Sequence, residues 1–471
     1  MNASDAPGRA PVRFDEAGPR ALALARSTGD EGFDVLLVRD VLGRFTLIVD
    51  DRRRPVDDET QERWHSALTD RLGAYITSQP LTLASTMFAA DTLLASPRAV
   101  PDPLRPPGGA GSVRLLDNTV VGEDWAKVSA PDDTSPESRP YRTAMYGFKG
   151  GVGRTTATAM LARHLADQGL VVLVVDLDLE SPGVGPLLLT DDQLPTYGLV
   201  DHLVESAVSD PDDLDLVANS NYQPRNRLGE LWVAPARGRG TDGAPYSYVD
   251  KLNRVYADIP GAPFADRLRR SVEACEEAVA RGDSEQRPDV VLLDSRAGIH
   301  DVAAVTISQL CDLALLFGAD NSQTWTGYRD LFTAWQSSGQ AERIRERLKM
   351  VASMVPDSAH HSMDAYLQSF RGHAFEHFSA TLYDELPADD AVSSSLSEVF
   401  APSEKDKTAP HYAIPILFEP GLVSMDALKS PSWQDRAFVQ AAYRDFLRVA
   451  TPLVTDGRVG AIDSEAEGTA P

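Results

Sequence analysis

The chain has 471 residues, 42% apolar and 24% charged, with a formal net charge of −25 from 70 acidic and 45 basic side chains. This is the length and composition of a soluble globular protein of two or three domains, and the charge opposes long-range attraction to nucleic acid or an anionic membrane. No apolar run approaches the roughly 18 residues of a membrane span, no apolar signal-peptide core opens the chain, and two cysteines, Cys275 and Cys311, make neither a disulfide framework nor a CxxC metal site, so the cytoplasm is the expected compartment.

Residues 1–30 are polar and rich in Ala, Pro and Gly, which reads as a disordered tail. Residues 31–95 read as a small α+β module. FDVLLV (33–38) and FTLIV (45–49) flank a turn near Gly43 as in a hairpin, and the stretch 57–76 carries Trp64, Leu68, Leu72 and Ile76 at helical spacing. Residues 96–140 read as a Pro/Gly-rich linker holding one short strand-like piece, 112–122. From 141 to 455 the texture changes. Short apolar runs at 143–148, 170–176, 230–235, 289–294, 313–318, 350–355 and 413–418 alternate with helical patterns, the last at 432–454. Near-continuous apolar strands between helices predict an α/β fold, a mostly parallel sheet covered by helices on both faces. Residues 456–471 read as a disordered acidic tail. Two basic runs have bland readings. Arg52, Arg53 and Arg54 are followed at once by acids, and AERIRERLK (341–349) reads as a solvated, salt-bridged helix face.

Chemistry concentrates at three strand ends. FKGGVGRTT (148–156) joins a strand to a helix. Gly150, Gly151 and Gly153 let the backbone wrap inward, so that N–H groups and the helix N-terminus face one anion. Lys149 and Arg154 add positive charge, Val152 completes the loop, and Thr155 and Thr156 supply hydroxyls, Thr155 at the place where a phosphate loop holds Mg²⁺. VVDLDLESPG (174–183) puts Asp176 and Asp178 on the next strand end, at the edge where open α/β sheets bind ligands. VVLLDSRAGIH (290–300) ends a third buried strand on Asp294.

Together these motifs resemble the MinD/ParA family of ATPases with a deviant Walker loop, KGGxGK[ST], and the resemblance covers about residues 142–335. It implies nucleotide binding by residues 149–156, with ATP and Mg²⁺ as ligands. It further implies that Lys149 reaches a partner's phosphates across a homodimer, that Asp176 lies near the metal with Thr155 and Asp294, and that Asp178 orients the attacking water. Arg154 stands where the family has its second lysine, which keeps the charge but is bulkier. Arg296 stands where the related DSPAGI has proline, and His300 where it has an acid. The choice of adenine over guanine comes from the resemblance alone.

The expectation is an ATPase, slow or partner-stimulated, acting as a nucleotide-gated dimerisation switch on a protein partner recognised by the N-terminal module. The alternative is a non-hydrolysing, nucleotide-bound scaffold, with Arg154 marking lost turnover; a metabolic ligase is a distant third. Nucleic acid is not an expected partner. Direct membrane docking is not expected either, because 454–471 lacks an apolar stripe. His373 and His377 have a spacing that can chelate a metal, but no third ligand stands nearby and packing is the expected role.

Overall fold

The computed structural model describes residues 12–455 apart from 109–110, 119–121, 130–138, 210, 212–213, 243–245, 258–261, 283–284, 359, 361, 386–398, 423–429 and 431. The chain divides into two compact units, 1–121 and 122–471.

The first unit is built on a five-stranded sheet ordered β3-β2-β1-β5-β4, from β1 (Asp34–Arg39), β2 (Phe45–Asp50), β3 (Ile76–Leu83), β4 (Val100–Pro101) and β5 (Val113–Asp117). β1 and β2 form the expected antiparallel hairpin. Its turn is set by Gly43 at φ 80° and by Asp40, whose carboxylate accepts the Leu42 and Arg44 N–H groups at 2.9 Å. Helix Asp58–Leu72 is capped by Asp57, which accepts from Thr60 N at 2.7 Å, and it buries Trp64, Leu68 and Leu72. It stops short of Ile76 because Gly73 takes a positive φ.

Two expectations are corrected in this unit. Residues 14–30 are not a disordered tail: Phe14–Asp30 is a helix, burying Ala17, Ala21, Leu24 and Ala25 in one core with Phe33, Val35, Trp64 and Leu68. Composition alone misreads it, since alanines at i, i+4 spacing pack a helix closely while adding little hydropathy. Nor is 96–140 a linker throughout. β4 and β5 belong to the sheet, β5 pairs in parallel with β1, and Asp102 takes a two-pronged ion pair from Arg26 at 2.5 and 2.9 Å. A short strand satisfies its backbone by pairing, whatever the Pro and Gly content beside it. The rest of these two segments, at residues 1–11, 109–110, 119–121 and 130–138, and the acidic tail expected at 456–471 lie outside the described residues.

The second unit is an eight-stranded sheet ordered β13-β12-β11-β6-β10-β7-β9-β8. Its strands are β6 (Tyr141–Gly147), β7 (Val171–Leu177), β8 (Ala218–Asn219), β9 (Glu230–Ala234), β10 (Val290–Ser295), β11 (Leu313–Gly318), β12 (Leu348–Val355) and β13 (Ile414–Leu417). All seven expected strands are present and mutually parallel; β8, unforeseen, adds an antiparallel edge. Strand side chains alternate between two cores. Val172 and Val174 pack with helices Arg154–Asp167 and Ala437–Val454 on one face. Leu173, Val175 and Leu177 pack with Leu268, Tyr328 and Phe370 from the helices of the other. Each such Leu or Val contributes on the order of 1.5–3 kcal/mol by leaving water.

This unit begins before 141. Trp125 is buried, with ring centroids 6.1 Å from Tyr146 and 5.9 Å from Trp335. The segment 341–349 is corrected too. Only Ala341–Ile344 is α-helical, Arg345 is buried against Asp384 at 2.6 Å, and Arg347 donates to the Ser129, Ile307 and Cys311 carbonyls. Charge alternation points to solvent; what decides burial is that one guanidinium fork can donate to several carbonyls at a loop and a helix end at once. Trp125→Ala is expected to destabilise the second unit by about 3–5 kcal/mol in denaturant unfolding; unchanged stability would return 122–128 to the linker. Among the described residues no helix is long and apolar enough to cross a membrane.

Candidate functional site

The three motifs meet at one edge of the sheet because β6, β10 and β7 are adjacent and parallel, so their C-terminal ends emerge together. The glycine loop leaves β6 and feeds helix Arg154–Asp167. Gly151 and Gly153 have φ of 78° and 77°, a left-handed backbone that a Cβ would strain. Gly327 holds the loop from beside it: a Cβ there would lie 2.2 Å from the Phe148 ring, so helix Ser322–Ser337 approaches the loop's first residue as closely as a side-chain-free position allows.

Arg154 lies among the acids. Its Nε donates to Asp294 Oδ1 at 2.9 Å and its Nη2 to Asp178 Oδ2 at 3.1 Å, and the residue is only 7% exposed. Thr155 Oγ1 donates to Asp294 Oδ2 at 2.8 Å, and Thr158 Oγ1 reaches Asp294 Oδ1 at 3.3 Å. Asp294 is fully buried, and burial pushes its carboxyl up against the opposing pull of Arg154 and Thr155. Asp176 is also fully buried and pushed up to about 8, first by burial and then by the neighbouring Asp294 charge. Its oxygens accept the N–H groups of Asp178, Gly183 and Val184 at 3.1, 3.0 and 3.2 Å, so it shapes the loop that follows its strand. Two apart in sequence, Asp176 and Asp178 thus have different immediate partners, because β7 ends at Leu177 and the alternation of a strand stops there.

Lys149 is exposed and its Nζ donates to Gln323 of its own chain. Gly150 and Gly151 are exposed, Val152 is buried under the loop, and Thr156 is half-buried on the first helical turn. The structure therefore brings Arg154, Thr155, Asp178 and Asp294 into one hydrogen-bonded cluster, sets Asp176 beside it, and leaves Lys149 outside.

The donors are hard oxygens, a hydroxyl beside buried carboxylates short of positive charge, and they fit Mg²⁺. Among the described residues no group of three or more His, Cys, Asp or Glu forms a metal cage. That suits an ion which takes one or two carboxylates and completes its shell with water and phosphate. His373 instead pairs with Asp320 at 2.9 Å and His377 stacks on Trp325 at 5.7 Å. Both cysteines are buried.

Sequence reasoning passed over Glu180, the next acid after Asp176 and Asp178. It takes an ion pair from Arg296, a hydrogen bond from Tyr256 Oη at 2.6 Å and a contact from His300 at 3.6 Å. Tyr248 Oη donates to Leu179 O at 2.6 Å. The loops after Asp178 and Asp294 are thus tied to each other and to the segment 184–288. The acidic spacing of 176, 178 and 180 was the available signal; the tyrosines, some 70 residues away, gave none.

A model of the CobQ/CobB/MinD/ParA nucleotide binding domain matches residues 143–398. No curated protein matches the chain. Among solved structures, the cell division ATPase MinD of Pyrococcus furiosus is similar at 17% identity over 66% of this chain and 99% of that one, with a TM-score of 0.39. The MinD of Pyrococcus horikoshii complexed with Mg-ADP shows 20% identity over 49% and 77%, with a TM-score of 0.32. The pNOB8 ParA bound to nonspecific DNA shows 16% identity over 51% and 76%, with a TM-score of 0.35.

Proposed function

Since the chain belongs to the CobQ/CobB/MinD/ParA nucleotide-binding domain family, we propose that it binds ATP with Mg²⁺ and acts as a regulatory ATPase whose nucleotide state gates its own dimerisation. The observation that carries this reading is the cluster of phosphate-loop residues, Arg154 and Thr155, with Asp294 and Asp178 from two neighbouring strand ends. Residues 149–156 cradle the phosphates through backbone N–H groups and the helix N-terminus. Thr155 and Asp294, with Asp176 behind them, would hold the divalent ion, which would supply positive charge against the phosphates. Asp178, once released from Arg154, orients the attacking water, and Lys149, exposed and bonded to Gln323 in its own chain, exchanges that amide for a partner's phosphates. The loops tied through Glu180 report the state of the site, and the N-terminal unit recognises a protein partner.

Calorimetry with ATP and ADP tests the reading: binding is expected, and Thr155→Ala is expected to weaken it only when Mg²⁺ is present. Absence of heat with every nucleotide would end it. One observation favours the scaffold reading. The cation that should serve phosphate is committed to both acids, so turnover is expected to be slow and must be measured beside binding. Duplex DNA is expected to bind weakly at physiological salt, given the −25 charge; a salt-dependent gel shift at sub-micromolar protein would show a basic face that the charge total hides.

A further inference from the structure

The loop departs from the family pattern at Arg154, and there the side chain does something a nucleotide-binding role does not require. Its guanidinium spans two carboxylates that reach it from different strands, Asp178 after β7 and Asp294 at the end of β10. Two distinct nitrogens are used, which a planar fork supplies and a compact ammonium does not. The surrounding hydroxyls complete the arrangement. Thr155 donates to Asp294 Oδ2 while Arg154 Nε donates to Oδ1, so every oxygen of that carboxylate has a partner, and so does the Thr155 hydroxyl; the Thr158 hydroxyl, 3.3 Å from Oδ1, also reaches the Arg154 carbonyl at 3.1 Å. The fork is buried, with an 8% exposed side chain beside a fully buried Asp294. A buried carboxylate without a cation is costly, so this pairing is not incidental to the stability of the site.

From this geometry we infer that Arg154 is an internal counter-ion: in the nucleotide-free protein it occupies the divalent-cation position, bridging Asp178 and Asp294. The phosphates of an incoming nucleotide then compete for the guanidinium. As it leaves, Asp294 and Thr155 become available to the metal and Asp178 to water. The metal therefore cannot take these acids before nucleotide draws the arginine away, and neither acid is free until then. The inference rests on the proposed nucleotide binding only for what draws the arginine away; the bridge itself belongs to the nucleotide-free state.

The test uses the full chain without nucleotide and Mn²⁺ alone as the probe, read by electron paramagnetic resonance and by Tm. Wild type is expected to leave Mn²⁺ free and to show no metal-dependent Tm. Arg154→Met is expected to start at a lower Tm, to bind Mn²⁺, and to recover about 2–4 °C as Mn²⁺ reaches about 10 mM. Arg154→Lys keeps a charge but spans the acids poorly, so it is expected to show the same response at smaller amplitude, and it serves if the methionine variant does not fold. Wild type binding Mn²⁺ as readily as the variants, or variants with wild-type Tm and no Mn²⁺ response, would overturn the inference. A parallel titration with ADP and Mg²⁺ separates the two claims. No nucleotide binding beside a positive Mn²⁺ response removes the proposed function and leaves the counter-ion; nucleotide binding beside a negative response does the reverse.

Discussion

Lys149→Ala is expected to lower ATP turnover by roughly 10³–10⁵-fold, the range a cross-subunit cation contributes to phosphoryl transfer. It is also expected to leave the protein monomeric in ATP. The side chain is exposed and its partner in the isolated chain is Gln323, a neutral amide, rather than any acid of the site. Removing it therefore leaves the Arg154, Thr155, Asp294 cluster intact, and nucleotide affinity should change little. The charge it would place near a second subunit's phosphates is lost, and with it both the interface contact and the stabilisation of charge in the transition state. Size-exclusion chromatography in ATP and one phosphate-release assay check both outcomes. A Lys149→Ala protein that dimerises and hydrolyses like wild type would remove the cross-subunit role.

Asp178→Ala should stop hydrolysis while sparing ATP binding, with a loss of about 10²–10⁴-fold for a residue that positions or deprotonates the nucleophile. The variant should accumulate as an ATP-bound dimer, since in the proposed switch hydrolysis is the step that releases the dimer. Asp178 also holds one nitrogen of Arg154 at 3.1 Å, so its removal frees half of the guanidinium fork. ATP affinity is therefore expected to stay level or rise, which separates this variant from one that merely damages the site. If wild type shows no turnover and Asp178→Ala leaves the oligomer unchanged, the scaffold reading replaces the switch.

Much of this was legible in the residues. The parallel sheet followed from seven apolar runs separated by helical patterns, because strands buried on both faces carry their signal locally. The glycine loop was legible for the same reason: Gly151 and Gly153 need a left-handed backbone at fixed spacing, and the strand, turn and helix follow one another directly between Tyr141 and Asp167. The acids at 176, 178 and 294 were identifiable as strand ends, though not their partners.

What the residues left undetermined was nearly always a matter of distant contact. The helix Phe14–Asp30 looked disordered because small side chains and charge weaken the hydropathy signal, and its burial depends on Trp64 and Leu68, some forty residues on. β5 looked like linker because its pairing partner, β1, is about eighty residues earlier. Arg345 and Arg347 looked solvated because their acceptors lie at 384, 129 and 307. Arg154 is the sharpest case. By itself the sequence determined that a cation stands in the loop; folding three parallel strands side by side decided that this cation meets Asp178 and Asp294, because register, not sequence distance, sets which charges share a buried space.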